Sequence, residues 1–413
     1  MTSPSCDVVS YIDRCGQRSG ACLLSCEARN RGSPHDGCWP HYRDAMTVLG
    51  LMSGANHEQV LHCADHRSGL RAIIAVHSTV LGPALGGTRF RAYHDEAAAL
   101  ADVLALSQAM TYKNALAGLD HGGGKAVLIG DPVTTRSEPL LRTYGRFLAG
   151  MNGRYVTAAD VGTTTADMDM IGRECRWTTG RSEAEGGGGD SGILTALGVW
   201  QGMRAAVAFS RNGGPAQQGE RVLTGARVGL LGCGKVGARL ARHLVLDEGA
   251  TVVAYDVDAA ALRRLTDSLP DHPNQLELAG SPHELAVAEL DVYSPNALGQ
   301  ALGDEVVAML SASVVCGGAN NQIVHSGTAS ALAARGITYA PDFCVNAGGV
   351  IQVADEFRGF SFERARTAAM RIGATTTRVL SRAAADGVTT ELAAIGLAQD
   401  RIDAVAGVRR VLV

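Results

Sequence analysis

The stretch VGLLGCGKVG, residues 228–237, decides the fold of this 413-residue chain. A strand-like run ends there in a G-x-G-x-x-G turn, and apolar residues follow at helical spacing: Leu240, Ala241 and Leu244. The glycines permit a tight turn and let a pyrophosphate approach the backbone at the N-terminus of the next helix. We therefore predict a Rossmann-type unit that binds a dinucleotide. The alternative is a turn whose glycines are only structural.

The second strand of this unit indicates which dinucleotide is bound. Residues 251–255 are strand-like and end at Asp256, which stands 19 residues after Gly237. A carboxylate at that place accepts hydrogen bonds from a ribose 2′-hydroxyl and repels a 2′-phosphate. We therefore expect NAD in preference to NADP. The predicted cofactor-binding residues are Gly232, Gly234, Lys235, Val236, Gly237 and Asp256.

Strand-like and helix-like segments alternate along most of the chain. Strand-like runs occur at residues 70–76, 126–129, 155–158, 228–231, 251–255, 292–293 and 314–315, and helices are predicted at 96–110 and 194–209. This alternation predicts an α/β fold in which the second sheet is parallel, with helices on both faces. The glycine run at 186–189 predicts a mobile hinge or loop.

We predict two domains with a cleft between them. Residues 47–190 form an N-terminal α/β substrate/catalytic domain, completed by mainly helical residues 346–413. Residues 191–345 form the Rossmann-type NAD-binding domain, and residues 1–46 are expected to be a disordered extension.

Composition excludes several classes of function. The net charge of −4 provides no basic surface for nucleic acid. No apolar run reaches the roughly 18 residues of a membrane span, and charged residues interrupt any signal-peptide core, so we expect a cytoplasmic protein. Half of the ten cysteines crowd into the first 38 residues, near two histidines. A zinc site there is one interpretation, but the spacings are irregular and contain no CxxC pair, so we expect no metal. These residues are Cys6, Cys15, Cys22, Cys26, Cys38, His35 and His41.

Lysine is rare in this chain and stands only in distinctive motifs. Of 37 basic residues, three are lysines, at positions 113, 125 and 235, and the other 34 are arginines. Arginine stays protonated, whereas a buried lysine can lose its proton at a lowered pKa. Codon preference explains the arginine excess but not where the lysines remain. The pattern therefore indicates chemistry that needs an amine.

Two of the lysines and one aspartate are predicted to meet in the cleft. Lys113 stands at the end of a helix, Lys125 leads into a strand after Gly122-Gly123-Gly124, and Asp160 ends another strand. This set suits an amino acid. One ammonium can bind the carboxylate, and the other, with its pKa lowered by burial and by its neighbour, can act as a base. The alternative leaves both lysines exposed on loops.

Several motifs in this region resemble those of one enzyme family. The segment LDHGGGKAVLIGDP (119–132) is similar to the lysine signature of the glutamate/leucine/phenylalanine/valine dehydrogenases. The resemblance covers about residues 55–400, and the other motifs occur in the family's order. They are GPALGGTRF (82–90), MTYKNALAGL (110–119), RECRWTTGRS (173–182), GGANNQI (317–323) and YAPDFCVNAGGVIQVADE (339–356).

The resemblance implies a role for each matching residue. Lys113 would bind the substrate carboxylate, Lys125 would be the general base that activates water, and Asp160 would move a proton to and from the amine. Backbone at Gly86 and Gly87, together with Asn321, would help bind the carboxylate, and Asn320 would contact the cofactor. The implied side-chain pocket consists of Leu85, Met110, Ala158, Thr179, Val350 and Val353.

These expectations amount to NAD-dependent, reversible oxidative deamination of a branched-chain L-amino acid. Valine is favoured, and the products are a 2-oxo acid and ammonia. The pocket is aliphatic, so it does not favour glutamate. The same chemistry on leucine, phenylalanine or a secondary-metabolite amino acid is one alternative, and a catalytically silent NAD-binding regulatory protein is another. The family also implies a homo-oligomer.

Overall fold

Both predicted groups of strands form sheets in the computed structural model, which describes residues 47–217, 219–297 and 299–409. The cysteines considered as zinc ligands lie outside these ranges. So do residues 1–46 as a whole, for which the sequence predicts a disordered extension. The strands predicted at 70–76, 126–129 and 155–158, and all four predicted in the second sheet, are confirmed.

The first sheet has five strands in the spatial order β1-β2-β4-β3-β5. They are β1 (Gln59–Asp65), β2 (Leu70–Ser78), β3 (Ala84–Arg91), β4 (Gly122–Ile129) and β5 (Tyr155–Ala159). Strand β2 is antiparallel to β1 and β4, whereas β3 is parallel to β4 and β5. The helices of this part are α1 (Val48–Gly54), α2 (Glu96–Leu116), α3 (Glu138–Gly150) and α4 (Thr165–Gly172). Strand β3 lies between β4 and β5, so its residues are beside both strands.

Helix α2 is longer than the sequence pattern predicts. It begins after Asp95, whose side chain accepts a hydrogen bond from the Ala98 amide, and it ends at Leu116 instead of Met110. The extra turns carry polar residues that are buried. The Asn114 amide donates to the carbonyls of Leu85 (3.0 Å) and Gly122 (2.6 Å). Carbonyl groups of other strands thus satisfy the polar groups whose presence in the sequence suggested that the helix ends at Met110.

The second sheet has six parallel strands in the order β11-β10-β9-β6-β7-β8. They are β6 (Arg227–Leu231), β7 (Thr251–Tyr255), β8 (Leu276–Leu278), β9 (Val292–Pro295), β10 (Val314–Val315) and β11 (Thr338–Tyr339). The order reverses direction at β6, which is where ligands bind in such sheets. Its helices are α5 (Gly192–Asn212), α6 (Lys235–Arg242), α7 (Ala259–Asp267), α8 (Pro282–Val287), α9 (Asp304–Met309) and α10 (Gly327–Ala334).

The C-terminal segment is mainly helical, as predicted. It contains α11 (Asp342–Val345), α12 (Gly348–Asp355), α13 (Phe362–Met370), α14 (Ile372–Asp386) and α15 (Thr390–Arg409). Helix α15 returns to α2, where Ala394 and Ala398 pack with Ala115 and Leu116 in one buried cluster. The C-terminal helices therefore support the helix that carries Lys113.

Helix α5 crosses the protein interior. Within the described ranges it is the one helix whose length and mean hydropathy would suffice for a membrane span, but 72% of its apolar window is buried inside the protein. Its glycines allow close packing: a Cβ on Gly198 would come within 2.5 Å of Ile372, and one on Gly202 within 2.4 Å of Val345. Its apolar surface is thus used in the core.

Candidate active site

A cleft of about 930 Å³ brings together residues of both sheets and the C-terminal helices. All but one of the predicted substrate-site residues line it, as do three of the predicted cofactor residues. The lining members are Lys113, Lys125, Asp160, Gly86, Gly87, Asn321, Leu85, Met110, Ala158, Val350, Val353, Lys235, Val236 and Asn320.

Lys125 and Asp160 form a direct ion pair in the cleft. The Lys125 Nζ lies 2.8 Å from the Asp160 Oδ2, and their side chains are 7% and 15% exposed. Burial alone would raise the pKa of Asp160, but the cations of Lys125 and Arg89 lower it to about 2. The hydroxyl of Thr163 accepts a hydrogen bond from the Asp160 amide at 2.8 Å. The pair is therefore an ammonium facing a carboxylate, held just beyond the end of β5.

Lys113 is held by an asparagine that the sequence analysis did not select. The Lys113 Nζ donates to the Asn346 Oδ1 at 2.6 Å, and the Asn346 amide donates to the Asn320 Oδ1 at 2.8 Å. Burial and the nearby charge of Lys125 lower the pKa of Lys113 to about 8, against the opposing effects of Asp342 and Asp160. Lys113 is therefore a cation that a modest rise in pH can neutralise.

Two glycines of β3 allow the chain to pass close to these groups. A Cβ on Gly86 would come within 1.8 Å of the Gly124 carbonyl oxygen, and one on Gly87 within 2.7 Å of the Asp160 Cβ. The Tyr155 hydroxyl donates to the Gly86 carbonyl at 2.8 Å. Side chains are therefore excluded here, and backbone faces the cleft beside the lysines.

The apolar wall of the cleft includes all but one of the predicted pocket residues. Leu85, Ala158 and Val353 belong to one buried cluster, with Val350 packed against it. Thr179 does not join the wall and is 2% exposed. Its hydroxyl and its amide both donate to the Thr157 carbonyl, at 2.9 and 2.8 Å. Both polar groups of Thr179 thus attach its segment to β5. Its place in the side-chain pocket stays a prediction.

The glycine-rich turn between β6 and α6 has the geometry of a phosphate-binding loop. Gly232 has a φ of +101°, and a Cβ on Gly237 would come within 2.0 Å of the Gly232 carbonyl oxygen. Gly234, at the N-terminus of α6, faces open space, where an added Cβ meets no atom within 4 Å. The turn therefore leaves room for a pyrophosphate above its backbone, as a nicotinamide dinucleotide requires.

Asp256 lies beside this turn, just beyond the end of β7. Its Oδ2 accepts a hydrogen bond from the Cys233 amide at 2.7 Å, and its Oδ1 accepts one from the Asp258 amide at 2.8 Å. The carboxylate is thus fixed next to the turn, in the place where a dinucleotide presents its ribose. The predicted cofactor residues Gly232, Gly234, Gly237 and Asp256 form this outer part, whereas Lys235, Val236 and Asn320 face the cleft.

Three polar residues of the cleft escaped the sequence analysis. Arg89 bonds Asp160, Asn346 bonds Lys113, and Asp342 is a buried carboxylate whose pKa is raised by burial and lowered in part by Lys113. Asn346 and Lys113 are 233 residues apart in the sequence. All three residues lie inside motifs quoted for the family resemblance, which was the one signal available for them.

The glycine run at 186–189 is a loop, as predicted, and it is attached to the C-terminal helices. The Glu356 carboxylate accepts hydrogen bonds from the amides of Gly188 and Gly180, both at 2.9 Å. The Gln352 amide donates to the Gly188 carbonyl at 2.7 Å. The hinge motion of the loop at residues 186–189 stays a prediction.

Comparison with known proteins places these features in a family. Residues 57–177 match the family model described as "Glu/Leu/Phe/Val dehydrogenase, dimerisation domain", and residues 186–369 match that of "Glutamate/Leucine/Phenylalanine/Valine dehydrogenase". A valine dehydrogenase of Streptomyces albus is 53% identical over 87% of this chain and 96% of its own length. A leucine dehydrogenase of Bacillus subtilis is 42% identical over 87% of this chain and 94% of its own length.

A solved structure gives the same result. The crystal structure of L-tryptophan dehydrogenase from Nostoc punctiforme superimposes with a TM-score of 0.73 at 36% identity, covering 86% of this chain and 98% of that one. The α/β architecture with its Rossmann-like parallel sheet and the nicotinamide-cofactor chemistry follow from this membership. The chain belongs to the glutamate/leucine/phenylalanine/valine dehydrogenase family of amino-acid dehydrogenases.

Proposed function

We propose that this enzyme catalyses reversible, NAD-dependent oxidative deamination of a branched-chain L-amino acid, with valine as the preferred substrate. The observation that carries the proposal is the contact of 2.8 Å between Lys125 and Asp160, in one cleft with Lys113 and an apolar wall. These groups match the parts of an amino acid: a carboxylate, an amine and an aliphatic side chain.

In this proposal the cleft binds each part of the substrate separately. Lys113 binds the carboxylate, with backbone of Gly86 and Gly87 and the side chain of Asn321 beside it. The aliphatic side chain lies against Leu85, Met110, Ala158, Val350 and Val353, where it is desolvated without leaving a charge unpaired. Bound NAD supplies the acceptor for the hydride on Cα.

Lys125 and Asp160 handle the protons. Lys125, as the free amine, takes a proton from the water that attacks the imino carbon, and Asp160 exchanges a proton with the departing amine. The distance of 2.8 Å between the Lys125 Nζ and the Asp160 Oδ2 keeps both groups within hydrogen-bond reach of each other. Enclosure of both groups in the cleft limits competition from bulk water.

NAD, in preference to NADP, is supported by Asp256. Its carboxylate lies beside the glycine turn, where it would accept hydrogen bonds from a ribose hydroxyl and repel a phosphate. The other predicted contacts come from Gly232, Gly234 and Gly237 in the turn. Lys235, Val236 and Asn320 would contact the cofactor from the cleft side.

The charge balance of the cleft disfavours glutamate. Its lining cations are Arg89, Lys113, Lys125 and Lys235. Arg89 contacts two carboxylates already, Lys125 contacts Asp160, and Lys113 is assigned to the α-carboxylate. A second substrate carboxylate among Leu85, Ala158 and Val353 would be buried without a partner, which is costly.

Valine and leucine are harder to distinguish, because a single methylene in an apolar pocket contributes only about 1–3 kcal/mol. The valine dehydrogenase of Streptomyces albus, at 53% identity, supports valine more than the leucine dehydrogenase at 42% does. The assembled Lys113, Lys125 and Asp160 oppose a catalytically silent protein. We also propose a homo-oligomer, which is supported by the match of residues 57–177 to a dimerisation domain. The proposed location is the cytoplasm.

A panel of amino acids with NAD tests this proposal. We expect turnover of valine, isoleucine and leucine within about two orders of magnitude of one another, with poor turnover of phenylalanine and glutamate. Glutamate as the best substrate would contradict the pocket assignment, and no turnover of any amino acid would favour the silent alternative. Size-exclusion chromatography with light scattering tests the oligomer, and cell fractionation tests the location.

A further inference from the structure

The carboxylate of Asp160 contacts two cations through the same oxygen. The Lys125 Nζ lies 2.8 Å from the Asp160 Oδ2, and the Arg89 Nε lies 3.2 Å from it. The Arg89 side chain is 13% exposed and lines the cleft. Arg89 therefore adjoins the reacting region, yet the proposed steps give it no task.

The guanidinium of Arg89 is held from its other end by a second carboxylate. The Arg89 Nη1 lies 3.2 Å from Asp102 Oδ1 and 3.0 Å from Asp102 Oδ2. The Tyr93 hydroxyl donates to the same Oδ2 at 2.6 Å. Opposite charges thus alternate from Lys125 through Asp160 and Arg89 to Asp102, and each group contacts the next.

The fold explains how this row arises. Arg89 lies on β3, between the strand that carries Lys125 and the strand that ends before Asp160. Asp102 comes from α2, 11 residues before Lys113. Eleven residues are about three helical turns, so Asp102 and Lys113 lie on one face of α2. One helix face therefore carries both the proposed carboxylate-binding lysine and the anchor of Arg89.

We propose that Arg89 is a positioning residue for Asp160: it holds that carboxylate against Lys125, while Asp102 and Tyr93 fix the guanidinium. The proposal rests on the proposed function, in which Asp160 exchanges a proton with the substrate amine. A misplacement of about 1 Å at a reacting group can slow a reaction about a hundredfold, so a carboxylate free to rotate would slow turnover.

Arginine is suited to this task in a way that lysine is not. Its planar fork presents several donors, so one nitrogen can contact Asp160 while another contacts Asp102. A lysine at position 89 would keep the charge but provide a single point of contact. Without any cation there, Asp160 and Asp102 would be two carboxylates with no positive group between them, and their repulsion would turn Asp160 away from Lys125.

Steady-state kinetics of the full-length enzyme test the proposal, with the best substrate of the panel. Arg89→Gln should lower kcat about a hundredfold, as a misplacement of about 1 Å does. KM for NAD should stay unchanged, because the hydrogen bonds of Arg89 go to Asp160 and Asp102 and not to the glycine turn. Arg89→Lys should recover only part of the lost kcat.

The matched control is Arg142→Gln. Arg142 also contacts two carboxylates, Glu174 at 2.6 Å and Glu138 at 3.3 Å, but it does not line the cleft. The Arg142→Gln enzyme should keep wild-type kcat. An Arg89→Gln enzyme with kcat above half of wild type would overturn the proposal, as would an equal loss of kcat in both variants.

A double variant shows whether Asp102 acts through Arg89. Asp102→Asn alone should lower kcat less than Arg89→Gln does, because the Arg89 contact with Asp160 remains. Asp102→Asn combined with Arg89→Gln should be no slower than Arg89→Gln alone, since residues that act as a unit are not additive. Losses that multiply would contradict this part of the proposal.

Two further measurements separate this proposal from the proposed function. Guanidinium at millimolar concentration should partly restore kcat to an Arg89→Gly variant and leave Arg142→Gly unchanged. A crystal structure of Arg89→Gln needs no substrate and should show the Asp160 carboxylate turned away from Lys125. An unchanged contact between Lys125 and Asp160 in that structure would overturn the positioning role. If the wild type deaminates no amino acid, the proposed function fails, and this structure still decides the role of Arg89.

Discussion

The two ends of the cleft are built in opposite ways. The dinucleotide turn consists of residues 232–237, and it works through backbone atoms whose approach the glycines permit. The charged end consists of side chains from separate strands and helices, such as Lys113 and Asn346, which are 233 residues apart. One end is a local conformation, and the other depends on the packing of the whole molecule. The charged end should therefore be far more sensitive to single substitutions.

The largest expected effect is at Lys125. Lys125→Ala should lower kcat by at least about a hundredfold, because a positioned general base contributes about 10²–10⁴-fold. Binding of NADH, measured by fluorescence, should persist, since the turn at the other end is unaffected. Retention of more than about a tenth of wild-type kcat would show that Lys125 is not the base.

The second effect is a pH dependence that only the charged end should show. Lys113 is protonated below its pKa of about 8 and neutral above it. Affinity for the 2-oxo acid, whose carboxylate stays ionised, should therefore fall by up to about tenfold for each pH unit above that value. Affinity for NADH should not follow this course. Lys113→Arg keeps its charge, so its profile should be flat. An equally steep fall in Lys113→Arg would assign the titration to another group.

The third effect concerns the side-chain wall. Leu85 is fully buried, so Leu85→Ala should destabilise the protein by about 2–5 kcal/mol and open space beside the substrate. Specificity, measured as kcat/KM, should move from valine toward bulkier side chains by at least about tenfold, the lower end of the effect of one methylene. Leu128→Ala is the matched control, because Leu128 is equally buried but does not line the cleft. A ranking unchanged in Leu85→Ala would contradict the pocket assignment.

The smallest effect is expected at the outer part of the dinucleotide site. The wild type should have a higher kcat/KM for NAD than for NADP. Asp256→Ser should lower the ratio of these two values about tenfold, because one charge-assisted hydrogen bond to the ribose is lost. Asp258→Ser controls for loss of a nearby acid, because Asp258 caps α7 instead. A wild type that uses NADP as well as NAD would refute the role of Asp256.

The same contrast explains what the sequence could predict. The turn at 232–237 and the strands on either side of it were predictable, since their signals are the spacing and apolar pattern of neighbouring residues. Lys113, Lys125 and Asp160 were found because lysine is scarce and because their motifs resemble a family. Arg89 lies inside the motif at residues 82–90, but it is one of 34 arginines and nothing in that motif indicates its role.

Two other features have the same origin. Helix α2 continues past Met110 because Asn114 finds carbonyl partners on β3 and β4, which no local pattern indicates. The hydroxyl of Thr179, which the family resemblance places in the pocket, bonds the Thr157 carbonyl, 22 residues earlier in the chain. In each case a hydrogen bond between distant segments determined where a polar side chain lies.

We infer that the cleft oxidises an aliphatic amino acid and releases its amine. The most direct test is the stoichiometry of products from L-valine and NAD with the wild-type enzyme. We expect NADH, ammonium and the 2-oxo acid in equal amounts, and a loss of all three in Lys125→Ala. Formation of NADH from L-valine without ammonium, or no reaction with any aliphatic amino acid, would contradict it.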